Sequence, residues 1–209
     1  LICRLYEPSE GCILLNGVDI RKYQYSEYVK KISAIFQDFQ LFSIRLDENI
    51  SLSEKIDENE MYSILEHLGL LEKIKNLPKS IKSRIHKDFD EEGFEPSGGI
   101  AQKIAISRAI YKDAPIIILD EPTAALDPRA EFEIYERFNE LTNHKLAFYI
   151  SHRLSSSRFC DKILVFKEGQ LIEHGTHEEL INAQSVYYEL YNMQSRYYID
   201  DSAEKGGKK

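Results

Sequence analysis

Four short apolar runs constrain the fold of this 209-residue chain more than any other feature of its sequence. They span residues 33–36, 116–119, 146–150 and 163–166, and the last three show no alternation with polar residues. Such runs are typical of strands that are buried on both faces. Because helical patterns lie between the runs, the sequence predicts an α/β fold around a mostly parallel sheet.

One long segment interrupts this alternation of strands and helices. It has no convincing strand, and apolar residues recur at helical spacing at Met61, Ile64, Leu65 and Leu68. We therefore expect a helical subdomain at about residues 47–112, inserted into the α/β core.

Smaller patterns predict the ends of the chain. The pair Asn16-Gly17 between two apolar stretches indicates a β-hairpin, and hence a small antiparallel portion. Thr176 followed by Glu179 predicts a helix start closed by a capping box. We expect one domain at residues 1–199 and a disordered polar tail at residues 200–209.

Composition excludes several classes of protein. Hydrophobic residues make up 43% of the chain and charged residues 30%, and no stretch of about 18 apolar residues occurs, so collagen-like, wholly disordered and membrane-spanning chains are excluded. The net charge of -8 argues against nucleic acid as a partner. The three cysteines form no CxxC pair, which argues against a disulfide framework or a structural zinc site.

Polar side chains follow three of the apolar runs at their carboxyl ends. Gln37 follows the first run, Asp120 and Glu121 follow the second, and Ser151 and His152 follow the third. Each residue alone is explained by the preference of polar residues for the ends of strands and helices. The carboxyl edge of a parallel sheet is where ligands bind, so their coincidence there predicts a ligand site.

The second of these runs belongs to a longer pattern. Four aliphatic residues followed by Asp120 and Glu121 have the form of a Walker B strand, whose carboxylates can face a hydrated magnesium ion and a water molecule. The continuation Pro-Thr-Ala-Ala-Leu-Asp at residues 122–127 is more specific. With it, the sequence resembles the ATP-binding cassette, or ABC, ATPases.

A second motif of this family precedes the first at the family's spacing. Ser97-Gly98-Gly99 stands before a helical pattern and resembles the signature motif LSGGQ. A hydroxyl, two glycine amides and a helix N-terminus suit an anion such as phosphate. Pro96 and Ile100 depart from the usual Leu and Gln of the motif.

The resemblance, which covers residues 1 to about 198, implies a P-loop NTPase-like (RecA-like) fold, a cofactor set of ATP and Mg²⁺, and roles for matching residues. Glu121 and His152 are the expected catalytic residues, as general base and switch histidine. Gln37 of the Q-loop and Asp120 are the expected ligands of magnesium. The expected nucleotide contacts are Gln37, Ser97, Gly98, Gly99, Asp120 and the D-loop residue Asp127.

One motif of the family does not occur in the sequence. No GxxxxGK[ST] is found, so the chain has no Walker A loop to cradle the β- and γ-phosphates. Matching the first residues to the family places Leu1 just after that loop, with the first strands missing. We therefore expect an N-terminally truncated domain that is inactive alone, and the alternative is a natural degenerate product.

The Q-loop region and the C-terminal part look most like exporter half-transporters. The implied function is ATP hydrolysis that powers export of a drug, lipid or peptide, at the cytoplasmic face of the cell membrane. The implied partners are a second nucleotide-binding domain and the transmembrane domains. Two alternatives are a soluble ABC ATPase and a non-catalytic domain that offers its signature motif to a complete ATPase.

Two features of the C-terminal part are expected to be structural. His174 and His177 have near-ligand spacing but no third ligand nearby, and we expect them to be solvated loop residues. The tyrosines that follow them are predicted to be packing residues.

Overall fold

Residues 1–53, 55–122 and 144–195 are described by the structure, a computed structural model. The chain divides into two compact units, Leu1–Ile150 and Ser151–Lys209. The predicted nucleotide contact of Asp127 and the predicted tail at 200–209 lie outside the described residues. Both stay predictions, as does the single domain at 1–199.

The described part of the first unit contains five strands and five α-helices. The strands are β1 (Leu14–Leu15), β2 (Val18–Asp19), β3 (Ile32–Ile35), β4 (Ile116–Asp120) and β5 (Leu146–Ile150). The helices are α1 (Tyr25–Val29), α2 (Leu46–Ser51), α3 (Glu58–His67), α4 (Leu71–Lys75) and α5 (Gly98–Tyr111), with 3-10 helices at Ile20–Lys22 and Ser80–Lys82.

A parallel sheet with the order β3–β4–β5 forms the framework of this unit. The predicted fold class is thereby confirmed. Strand β4 is buried along its apolar length, as predicted. Strand β5 was predicted to be buried on both faces, but Leu146 and Ile150 at its ends are exposed. Among the described residues, β5 pairs with one strand, β4, and its three central residues are half-buried.

The helices α2–α5 lie between β3 and β4 in the chain, where periodicity predicted a helical insertion. Helix α5 packs against α2, α3 and β3. Its buried residues come from several sides of the helix because it lies inside the unit. The bounds 47–112 of a separate subdomain stay a prediction, since the helices belong to the same compact unit as the sheet.

The predicted hairpin joins β1 and β2, which pair antiparallel. Its turn residues Asn16 and Gly17 both have positive φ, at 51° and 78°. Asn and Gly are the residues that adopt this conformation most readily, which explains why the pair marks the turn.

The second unit is built on an antiparallel pair of strands. Strands β6 (Ile163–Lys167) and β7 (Gln170–Gly175) are followed by helix α6 (His177–Ala183) and a helical segment at 186–195, and a 3-10 helix precedes them at Leu154–Phe159. The expectation that β6 is buried on both faces was wrong, because Ile163 and Val165 are buried while Leu164 and Phe166 are exposed. The two-residue turn to β7 makes the strands antiparallel neighbours, and such a pair can cover one face and leave the other open.

Helix α6 begins with the predicted capping box. The Thr176 side chain accepts a hydrogen bond from the Glu179 amide, and the Glu179 carboxylate accepts one from the Thr176 amide. The expectation of a solvated His177 was wrong, because its Nδ1 lies 2.8 Å from the hydroxyl of Tyr187. Tyr187 is buried, as the packing interpretation of these tyrosines predicted.

Candidate functional site

The predicted ligand site lies at the carboxyl edge of β3 and β4. The strands pair in register with Ile35 opposite Leu119, so that Gln37 and Glu121 both follow two residues later. The Gln37 Nε2 donates a hydrogen bond to Glu121 Oε2 over 3.1 Å. The fold therefore brings together two residues that are 84 positions apart in the sequence.

Asp120 is the last residue of β4 and stands at the boundary between the buried strand and solvent. Asp120 is half-buried, whereas the four preceding residues of β4 are buried. Its register partner on β5 is Ile150. A carboxylate at this position is held by a rigid strand and still reaches solvent, as a ligand of a hydrated cation must.

Glu121 adopts a backbone conformation that is uncommon for a residue with a side chain. Its φ is 47°, in the left-handed region. The Glu121 amide donates to the carbonyl of Ile150 over 2.9 Å. Its own carbonyl accepts a hydrogen bond from Gln102 Nε2 over 3.3 Å. Hydrogen bonds to β5 and α5 thus hold the backbone amide and the backbone carbonyl of Glu121.

Gln102 was not among the predicted site residues. It lies on α5 and is 2% exposed. A buried polar side chain on a largely apolar helix is a signal that the sequence does contain, because buried amides require hydrogen-bond partners. The partner itself, a backbone carbonyl 19 residues away, is visible only in the folded chain.

The predicted signature motif forms the N-terminus of α5. Ser97 is the N-cap residue, and its carbonyl accepts from the Ala101 amide, while its side chain makes no capping hydrogen bond. Ser97 and Gly98 are exposed, and Gly99 is half-buried. The first amides of a helix have no partner within the helix, so this end can receive an anion. Gln102, the residue that contacts Glu121, follows Gly99 by three positions.

The loop after Gln37 is fastened to α5 by a buried polar network. Asn49 is fully buried, and its side chain both accepts from the amide of Phe42 and donates to the carbonyl of Phe42. The Arg108 guanidinium donates to the carbonyl of Asn49 over 2.9 Å and to that of Gln40 over 3.3 Å. Burial lowers the pKa of Arg108, but an arginine remains protonated in proteins. Neither Asn49 nor Arg108 was predicted to support the site.

His152 belongs to the second unit and is exposed. Its backbone carbonyl accepts a hydrogen bond from Gln194 Nε2 over 2.5 Å. The next residue, Arg153, donates its amide to the hydroxyl of Ser151, which forms a tight turn around the histidine. The assigned role of His152 stays a prediction, as does that of Asp127 outside the described residues.

The side chains at the sheet edge fit a magnesium ion that takes most of its ligands from water and phosphate. Mg²⁺ takes oxygen ligands and usually binds proteins through one or two side chains plus water and phosphate. Asp120 offers a carboxylate, and Gln37 keeps its amide oxygen available because its nitrogen faces Glu121. Within the described part of the chain, no group of three His, Cys, Asp or Glu side chains is placed to hold a metal.

Comparison with known families identifies the chain. The family model described as "ABC transporter" matches residues 1–124. The chain therefore belongs to the ABC transporter family, and the recognition made from its motifs is confirmed. A bacterial Atm1-family ABC exporter, solved with ATP bound, has a TM-score of 0.85 to this chain and 30% sequence identity, over 93% of this chain and 34% of the exporter chain.

Curated relatives are named for ATP binding and transport or for an ATP-dependent flippase. The chain is 36% identical to the subtilin transport ATP-binding protein SpaT of Bacillus subtilis, over 100% of this chain and 34% of SpaT. It is 37% identical to the ATP-dependent lipid A-core flippase of Cupriavidus pinatubonensis, over 93% of this chain and 33% of the flippase. The chain thus spans about a third of the length of these relatives. Within residues 1–53, 55–122 and 144–195, no helix is long and apolar enough to cross a membrane.

Proposed function

We propose that this chain is the ATP-binding and ATP-hydrolysing domain of an ABC exporter. The single observation that carries the proposal is the cluster of Gln37, Asp120 and Glu121 at the carboxyl edge of β3 and β4, with the Gln37 amide on the Glu121 carboxylate. The names of the relatives and of the similar exporter structure support the same function.

Each residue at this edge has a role that suits its chemistry. Asp120 and the amide oxygen of Gln37 would hold Mg²⁺, and the ion would supply charge neutralisation on the phosphate oxygens. Glu121 would accept a proton from the attacking water. The Gln37 nitrogen would orient that carboxylate, since it already donates to Oε2 over 3.1 Å. His152 would donate a hydrogen bond to the γ-phosphate.

The signature motif would act on a nucleotide held by a second ATPase domain. Ser97, Gly98 and Gly99 present a hydroxyl and helix-terminal amides at an exposed end of α5, which suits contact with a phosphate from another chain. Asp127 would line the interface between the two domains. In this proposal the working unit is a dimer of nucleotide-binding domains, joined to transmembrane domains, at the cytoplasmic face of the membrane.

The cargo is proposed only as a class. One relative is named for subtilin transport and another as a lipid A-core flippase, so relatives of nearly equal identity to this chain are named for different cargoes. We therefore propose a drug, lipid or peptide as cargo.

We propose that the chain is part of a longer natural protein that supplies the GxxxxGK[ST] motif missing from the 209 residues, and this full-length protein is the one to test. We expect it to hydrolyse ATP with Mg²⁺, and Glu121→Gln to bind a fluorescent ATP analogue normally while hydrolysis falls about a hundredfold or more. Glu66→Gln is the matched control, since Glu66 is an exposed acid on α3. Failure of the unmodified protein to hydrolyse ATP, or equal rates in both variants, would contradict the proposal.

A further inference from the structure

We propose that Gln102 is a positioning residue for Glu121, and this inference rests on the proposed ATPase function. Gln102 Nε2 donates to the backbone carbonyl of Glu121 over 3.3 Å. We therefore assign Gln102 a role through the residue that carries the proposed base.

The conformation of Glu121 is the first reason to assign this role. A φ of 47° is disfavoured for a residue with a side chain, and such conformations persist only where the surroundings fix them. Three separate elements do so here. The amide of Glu121 donates to Ile150 on β5, its carbonyl accepts from Gln102 on α5, and its carboxylate accepts from Gln37 after β3.

The burial of Gln102 is the second reason. The residue is 2% exposed, and its neighbours Ile104, Ala105 and Ile106 on the same helix are buried as well. An amide in such a place loses its hydrogen bonds to water and its rotamer freedom, both of which disfavour folding. An apolar side chain of the same length would avoid the loss of hydrogen bonds. The hydrogen bond to the carbonyl of Glu121 offsets part of this loss.

The hydrogen bond from Gln102 thus connects α5 to the backbone of the proposed base, Glu121. Gln37 fixes where the carboxylate points, whereas Gln102 fixes the peptide from which the side chain departs. Without the Gln102 bond, the left-handed backbone of Glu121 has one restraint fewer. The carboxylate then samples positions away from the attacking water, and small displacements of a reacting group lower the rate of the chemical step strongly.

The experiment compares two substitutions on α5 in the natural full-length protein. Gln102→Met keeps the length of the side chain and removes the donor. Ser107→Ala is the matched control, because Ser107 is also fully buried and its hydroxyl donates to Ile104 on its own helix. We expect the kcat of Gln102→Met to fall about tenfold to a hundredfold, with KM for ATP and binding of a fluorescent ATP analogue within about twofold of the unmodified protein. We expect Ser107→Ala to have the same kcat as the unmodified protein.

A double substitution separates positioning from a general effect on stability. If Gln102 acts through Glu121, then adding Gln102→Met to Glu121→Gln leaves the residual rate unchanged. The inference is overturned by an unchanged kcat in Gln102→Met, by losses in ATP binding that match the loss in kcat, or by a further fall in the double variant. Different results would contradict the proposed function: the unmodified protein would not hydrolyse ATP, or Glu121→Gln would hydrolyse it at the unmodified rate.

Discussion

Two polar clusters, one in each unit, differ in what their hydrogen bonds hold. In the first unit, hydrogen bonds at the carboxyl edge of the parallel sheet converge on Glu121. This residue has a disfavoured backbone conformation and follows the end of a strand. In the second unit, the hydroxyl of buried Tyr187 lies 2.7 Å from the Ser157 hydroxyl and 2.8 Å from His177 Nδ1. The first cluster fixes an acid that reaches solvent, and the second satisfies a buried hydroxyl.

The surroundings of Tyr187 show why its cluster stabilises structure. The Tyr187 and Tyr191 rings stack with centroids 6.1 Å apart, and His177 meets both rings. Burial raises the pKa of Tyr187, so the hydroxyl stays protonated. The contact of His177 with Tyr187 joins α6 to the segment at 186–195, and the contact of Ser157 with Tyr187 adds the 3-10 helix at Leu154–Phe159. We expect changes in the first cluster to alter the rate of hydrolysis, and changes in the second to alter thermal stability.

Among substitutions at these two clusters other than those of Glu121 itself, the largest expected effect is that of Gln37→Ala in the natural full-length protein. The substitution removes the donor to Glu121 and the amide oxygen proposed for Mg²⁺, and we expect kcat to fall about tenfold to a hundredfold. Because Gln37 is exposed, the melting temperature is expected to stay within about 1 °C.

Gln40→Ala in the same loop is the control for this change, because the Gln40 side chain is also exposed and its backbone carbonyl remains available to Arg108. A wild-type rate in Gln37→Ala, or an equal loss in Gln40→Ala, would contradict a role of the first cluster in hydrolysis.

A smaller effect is expected from Tyr187→Phe, and it falls on stability. The substitution removes the contacts to Ser157 and His177 within a buried site, which is worth about 1 to 2 kcal/mol. The melting temperature should fall by about 2 to 6 °C while kcat stays within about twofold. Tyr188→Phe is the control, since its side chain is only half-buried. A loss of kcat at unchanged stability would assign the second cluster to catalysis.

The parts of the molecule that could be predicted from sequence depend on local signals. The run at 116–119 predicted β4, Asn16-Gly17 predicted the hairpin, and Thr176 with Glu179 predicted the start of α6. In each case, the residues whose pattern predicts the element also form that element. The family motifs likewise pointed to Gln37 and Glu121, which the fold brings into contact.

The remaining features depend on partners that are distant in the sequence. Gln102 contacts a carbonyl 19 residues away, and Arg108 contacts Asn49 59 residues away. The pairing of β6 with β7 overrode the expectation of burial on both faces, because an apolar run does not reveal which strand lies beside it. His177 was predicted to be a solvated loop residue because no third metal ligand is nearby, but its partner Tyr187 comes from the following helical segment.

The smallest expected effect concerns Glu173 in the second unit and depends on pH. Hydrogen bonds from the Ser185 side chain and from the amides of Tyr187 and Val186 lower the pKa of Glu173. A lowered folded-state pKa contributes stability above the unfolded pKa of about 4.3, and this contribution is lost as pH falls through the lower folded value. We therefore expect Glu173→Gln to melt about 1 to 2 °C below the unmodified protein at pH 7, with the difference shrinking below about pH 4. Glu178→Gln on α6, which replaces an exposed acid, is the control. A gap for Glu173→Gln that is the same at pH 7 and below pH 4 would mean that ionisation of Glu173 does not contribute to stability.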